Sequence, residues 1–146
     1  MGHGVRGKMA GMMLVRDVMS KDVKVVSPDS SVKEVVADMN KFNIGSIVVL
    51  EGDRPVGVIS ERDVLRKVVE PCLAPESLTA RQIMTSPVIT IGEMASIEEA
   101  AKLMARKKVR KIPVMDKQKL VGILTFTDIV TKVLAMLSVL EELMRP

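Results

Sequence analysis

Val56-Gly57-Val58-Ile59-Ser60-Glu61-Arg62-Asp63 returns sixty-five positions later as Val121-Gly122-Ile123-Leu124-Thr125-Phe126-Thr127-Asp128. In both, an apolar run broken by a glycine gives way to a hydroxyl residue, with a carboxylate three positions on. Such a run reads as a strand, and Ser/Thr-x-x-Asp reads as the start of the helix that follows it. Carried outward in the same register, the match is gapless from Arg16 to Val69 against Arg81 to Leu134. Met19 falls on Met84, Val23 on Val88, Ser31 on Ser96, Glu34 on Glu99, Met39 on Met104 and Ile47 on Ile112. Polar and turn positions coincide along with apolar ones, which chance alternation of hydrophobics does not produce. The chain is a tandem duplication.

Each copy has the same local plan. Val23–Val26 and Val88–Ile91 are short β-branched runs, hence strands. Ser31-x-x-Glu34 and Ser96-x-x-Glu99 have capping-box spacing. One helix then carries Val32, Val35, Val36, Met39 and Phe42 on one face; its counterpart carries Ile97, Ala100, Ala101 and Met104. Strands Ile47–Leu50 and Val56–Ile59 follow in one copy, Ile112–Met115 and Leu120–Leu124 in the other, and second helices begin at Ser60 and Thr125. A β-α-β-β-α unit of this size buries little surface alone. The expected fold is therefore α/β (α+β), two such repeats packed through their sheets with pseudo-two-fold symmetry. The boundaries read as a tail over 1–14, repeats over 15–69 and 80–135, a Pro71- and Pro75-containing linker over 70–79, and a helical extension over 136–146.

Composition removes several functions. Of 146 residues, 47% are hydrophobic but only 1% aromatic, with two Phe, no Tyr or Trp, and twelve Met. Phe42 and Phe126 cannot supply a base-stacking platform for single-stranded nucleic acid. Cys72 is the single cysteine and His3 the single histidine. Disulfide frameworks, cysteine-rich zinc sites and histidine-based triads are thus disfavoured, and no metal site is expected. Net charge of +4 suits an anionic small molecule as well as nucleic acid. No run approaches the length of a membrane span, and no cleavage site follows the short apolar stretch near the N-terminus, so a cytoplasmic location is expected.

The repeated Gly-x-x-Ser/Thr-x-x-Asp segment carries the chemistry. Where a strand ends and a helix begins, unpaired N–H groups and the positive end of the helix dipole favour phosphate. A hydroxyl there can bond an anion or sugar oxygen, and a carboxylate one turn on can accept both hydroxyls of a ribose. Glycine leaves room for a ligand to approach the strand. The same Ser/Thr-x-x-Asp is also an ordinary helix cap, and the two readings are compatible.

The Val18-Met19-Ser20 and Ile83-Met84-Thr85 openings, the serine-capped helices, Arg110-Lys111-Ile112-Pro113-Val114 and the two Asp motifs together resemble a tandem pair of cystathionine β-synthase (CBS) domains, a Bateman module. The resemblance implies a regulatory module that binds AMP, ADP or ATP, or S-adenosylmethionine or NAD, between its repeats and does no chemistry. It further implies crossed sites. One would use Val58, Ser60, Arg62 and Asp63 with Val88, Ile89, Arg110, Lys111 and Pro113. The other would use Ile123, Thr125 and Asp128 with Met19, Val23, Lys24, Ile44, Gly45 and Ser46. Because Arg110-Lys111 answers to Gly45-Ser46, the first site is expected to hold the phosphorylated ligand, and the second a less charged one or none.

Arg106 to Lys111 holds five basic residues in six. A solvated helix end and phosphate recognition both account for it, and duplex binding is the weaker reading. From Ile129 to Met144 nearly every helical face is apolar, which demands a partner. A homodimer through the second helices and C-terminal helix is expected, with a separate effector protein as the rival. The functional alternative to a nucleotide sensor is a dimeric scaffold that binds no ligand.

Overall fold

A computed structural model describes residues 13–146, so His3 and most of the tail lie outside the described residues. The chain divides into two compact units. One is built on the first repeat and spans Val23–Ile89 with Gln118–Leu120; the other joins the described residues up to Asp22 to Thr90–Lys117 and Val121–Pro146.

In the first-repeat unit, β1 (Val25–Val26) lies parallel to β2 (Ser46–Glu51), and β2 is antiparallel to β3 (Arg54–Ser60). Helix α1 (Val32–Phe42) is capped by Ser31, whose Oγ accepts from the Glu34 N–H, and ends at Asn43 in the left-handed region. It buries Val32, Val35 and Met39, as its period requires, while Phe42 at its end is 36% exposed. The strand hairpin turns through Gly52 at φ 65°, a value glycine adopts without strain. After β3 comes a short α2 (Glu61–Val64), which widens into a π-helical turn over Leu65–Val69.

The second-repeat unit follows the same order. Its sheet is β4 (Ile91–Gly92), β5 (Lys111–Asp116) and β6 (Lys119–Thr125), with β5 in the centre. Helix α4 (Ile97–Lys107) is capped by Ser96 and buries Ala100 and Met104, but Ala101 faces solvent. Here the second helix, α5 (Phe126–Met144), runs unbroken through the expected extension. The two-residue β1 and β4 are shorter than their β-branched runs, because each pairs with only two residues of the central strand.

The opening segment of each repeat belongs to the other repeat's unit. Val15, in the short helix Val15–Val18, is fully buried with Ala100, Met104, Ile112, Val114, Leu124 and Ile129. Ala80 and Ile83, in α3 (Ala80–Ile83), are buried with Val26, Val32, Val35, Ile47 and Ile59. Strand-like bridges hold both in place, Ser20 to Ile123 in one unit and Thr85 to Val58 in the other. No local periodicity carries this exchange, since a four-residue helix looks the same whichever sheet it covers.

The exchange corrects the role expected for the motif glycines. The Met84 side chain lies over Gly57 and that of Met19 over Gly122, so the missing Cβ makes room for a thioether and not for a ligand. A Cβ at Gly122 would stand 2.5 Å from Met19 Sδ and 2.9 Å from the Ser20 carbonyl oxygen, and at Gly57 it would stand 2.6 Å from Met84 Cγ and 2.8 Å from Met84 Cβ, with Sδ closer still. Gly57→Ala and Gly122→Ala are each expected to cost about 1–3 kcal/mol by overpacking, Gly57→Ala no less than Gly122→Ala, because Met84 Cβ is fixed by its backbone. Urea unfolding of the two variants measures the difference.

Candidate functional site

Both Asp motifs form complete capping boxes, but their surroundings differ. In the first-repeat unit the Ser60 Oγ accepts from the Asp63 N–H, and Asp63 Oδ2 accepts from the Ser60 N–H at 2.9 Å and from the Ser60 hydroxyl at 3.1 Å. The other oxygen, Oδ1, accepts from the Thr85 hydroxyl at 2.9 Å and pairs with Lys67 Nζ at 3.1 Å. Lys67 also donates to the Ile83 carbonyl at 2.9 Å. Asp63 is 8% exposed and is the one buried charged residue among those described. Burial pushes its carboxyl pKa up, but the bonds from the Ser60 N–H, Lys67, Thr85 and the Ser60 hydroxyl together outweigh it and hold it below the usual 3.8.

In the second-repeat unit Thr125 Oγ1 accepts from the Asp128 N–H at 3.1 Å, and Asp128 Oδ2 accepts from the Thr125 N–H at 3.2 Å. Among the described residues no donor reaches Oδ1 of this half-buried carboxylate. The Phe126 N–H donates to the Arg110 carbonyl at 2.8 Å, which brings the start of β5 against the start of α5. The Arg110 guanidinium lies 4.6 Å over the Phe126 ring. Burial lowers the pKa of the neighbouring Lys111 below 10.5, the mark of an ammonium that has lost part of its water.

The predicted site residues fall out as follows. Val58, Ser60, Arg62, Asp63, Val88 and Ile89 belong to the first-repeat unit; Arg110, Lys111 and Pro113 belong to the second, with Pro113 buried inside β5. Met19, Ile123, Thr125 and Asp128 are together in the second-repeat unit, where Ser20 bridges Ile123. Val23, Lys24, Ile44, Gly45 and Ser46 are in the first. Gly45 and Ser46 sit beside the Asp63 motif of their own sheet, Ser46 opposite Ser60 and the Gly45 carbonyl accepting from the Glu61 N–H at 3.0 Å. Lys24 Nζ lies 4.4 Å over Phe42. Ile44 lines a groove of about 300 Å³ with Val36, Met39, Asn40, Glu61, Val64 and Leu65. Lys67 and Thr85 were not among the predicted residues.

Among the described residues no cluster of His, Cys, Asp and Glu could hold a metal ion, and no helix is long and apolar enough to cross a membrane.

A family model described as CBS domain matches residues 15–70 and 80–135. An uncharacterised protein of Methanopyrus kandleri is 39% identical over 133 residues, covering 90% of this chain and 68% of its own. The inosine-5'-monophosphate dehydrogenase of Korarchaeum cryptofilum is 34% identical over 84% of this chain, which spans only 24% of that enzyme's length. Among solved structures, the CBS domain pair of protein MJ0100, in complex with 5-methylthioadenosine and S-adenosyl-L-methionine, has a TM-score of 0.74 at 26% identity and covers 85% of this chain and 98% of its own.

Proposed function

The chain belongs to the CBS-domain family, and on that premise we propose that it is a cytoplasmic regulatory module without catalytic activity, binding an adenosine-containing ligand and passing its occupancy to a partner surface. The observation that carries this reading is the start of α5. A 19-residue helix begins there, beside the Thr125 hydroxyl, an Asp128 oxygen that no described residue engages, and Arg110 and Lys111 at the adjoining strand end; the Phe126 and Asp128 N–H groups are taken by the Arg110 carbonyl and Thr125 Oγ1. A ribose hydroxyl needs a carboxylate acceptor, and a phosphate needs N–H donors and cations. The partly desolvated Lys111 ammonium gains most from an anion beside it. AMP, ADP and ATP combine both groups; S-adenosylmethionine and NAD share the ribose. A relative's complex with methylthioadenosine and S-adenosylmethionine supports the adenosyl class. The Asp63 motif offers the same residue types and is proposed as the second, duplicated site.

The test is a thermal-shift screen with AMP, ADP, ATP, S-adenosylmethionine, NAD and GMP. At a hundred times Kd a ligand adds about 2.7 kcal/mol, so an adenosyl ligand raises Tm by several degrees and GMP does not. A flat response to all six rejects the sensor.

The proposed partner surface is α5 of a second copy. Phe126, Val130, Val133, Leu137, Leu140 and Met144 alternate spacings of four and three, a heptad seam, and all six are exposed. With Leu134 and Leu143 the seam offers eight apolar side chains, 36–85% exposed, for a second copy to cover. This seam also favours the second reading, a dimeric scaffold, which predicts a dimer in the absence of any ligand response.

A further inference from the structure

The two Asp motifs are copies in sequence but not in availability, and the difference traces to three positions. Thr85 and Ser20 are counterparts, each fixed by a backbone bridge beside its motif. The Ser20 hydroxyl accepts from the N–H of Asp22, two residues on, at 3.3 Å. The residue two positions after Thr85 is Pro87, which has no N–H to donate. The Thr85 hydroxyl is instead directed at Asp63 Oδ1, 2.9 Å away. Lys67 and Lys132 are likewise counterparts. Lys67 lies in the π-helical turn Leu65–Val69 and bridges Asp63 to the Ile83 carbonyl. Lys132 lies in unbroken α-helix and makes no such pair with Asp128 among the described residues.

We infer that Thr85 and Lys67 determine which motif takes ligand: they occupy the carboxylate oxygen of Asp63 that a ribose would need, so that the open Asp128 motif binds first. The inference rests on the adenosyl-ligand reading and adds the choice between the two copies. It reverses the order expected from counting the Arg110 and Lys111 cations with Asp63. A ribose at Asp63 must displace two donors, one of them charged, from a carboxylate that already has a partner at each oxygen. At Asp128 it displaces only water.

Isothermal titration calorimetry with AMP on the full chain tests this. The wild-type chain should take one AMP, and Asp128→Ala should weaken it at least tenfold. Thr85→Val with Lys67→Met, which removes both donors and keeps shape, should take two, the second being lost again on adding Asp63→Ala. Two AMP per wild-type chain, or one in the double variant, overturns the inference while leaving the ligand reading intact. No AMP bound by either protein removes both. A ligand-free measurement separates the lock itself: the Asp63 carboxyl, followed by NMR, should titrate below 3.8 and move upward in the double variant. An unmoved titration means that Thr85 and Lys67 do not hold Asp63, and the inference fails whatever AMP does.

Discussion

Asp63→Ala is expected to lower the unfolding free energy by about 2–4 kcal/mol, and Asp128→Ala by about 1 kcal/mol. The second figure is the ordinary loss of a helix-start cap. The first is larger because four donor contacts converge on Asp63, from the Ser60 N–H, the Ser60 hydroxyl, the Thr85 hydroxyl and Lys67. Alanine leaves the part-buried Ser60 and Thr85 donors without their acceptor. Lys67 adds little, because its side chain is 42% exposed and water takes over its ammonium. Urea unfolding at neutral pH gives both values, and equal losses would show that the network around Asp63 contributes nothing beyond a cap. The pH dependence has a fixed sign. The folded carboxyl titrates below its unfolded value near 3.8, so its contribution is fully present above that value and is lost as pH falls through the lower, folded one. The gap between wild type and Asp63→Ala should therefore be constant above about pH 5 and narrow in stronger acid.

Leu137→Glu with Leu140→Glu is expected to turn the proposed two-chain species into single chains. Both leucines are about half exposed in the isolated chain, at 53% and 47%, so the substitutions leave each unit's core untouched. In a paired seam they would bring four carboxylates into an apolar strip. Losing about 2 kcal/mol per leucine and desolvating the charges weakens association by at least a thousandfold. Light scattering at micromolar concentration should halve the mass, with the far-ultraviolet circular dichroism unchanged. A wild-type chain that is already monomeric, or a double variant that remains paired, sinks the α5 seam as the partner surface.

Much of the fold is legible in the sequence because the duplication prints each signal twice. Ser31 and Ser96 cap the first helices, and Ser60 and Thr125 cap the second, each where hydroxyl, spacing and apolar run coincide. The glycines mislead: a small residue on a strand announces a close approach but not who approaches, and here it is a methionine from the opposite repeat. The state of Asp63 is missed for a similar reason. Its partners Lys67 and Thr85 have near-equivalents in the other copy, so comparing residue types hides the difference. The readable difference was Pro87 standing where the other copy has Asp22, which leaves the Thr85 hydroxyl without the N–H that the Ser20 hydroxyl accepts.

The traded opening segments bear on how such a chain can be divided. A cut in the linker separates two homologous stretches of sequence, yet neither stretch contains the whole of its own core: one half forfeits Ala80 and Ile83, the other Val15. The unit that was copied in the gene is thus not the unit that folds. Each half supplies a segment that the other's core buries, so separately expressed halves are expected to gain stability when mixed.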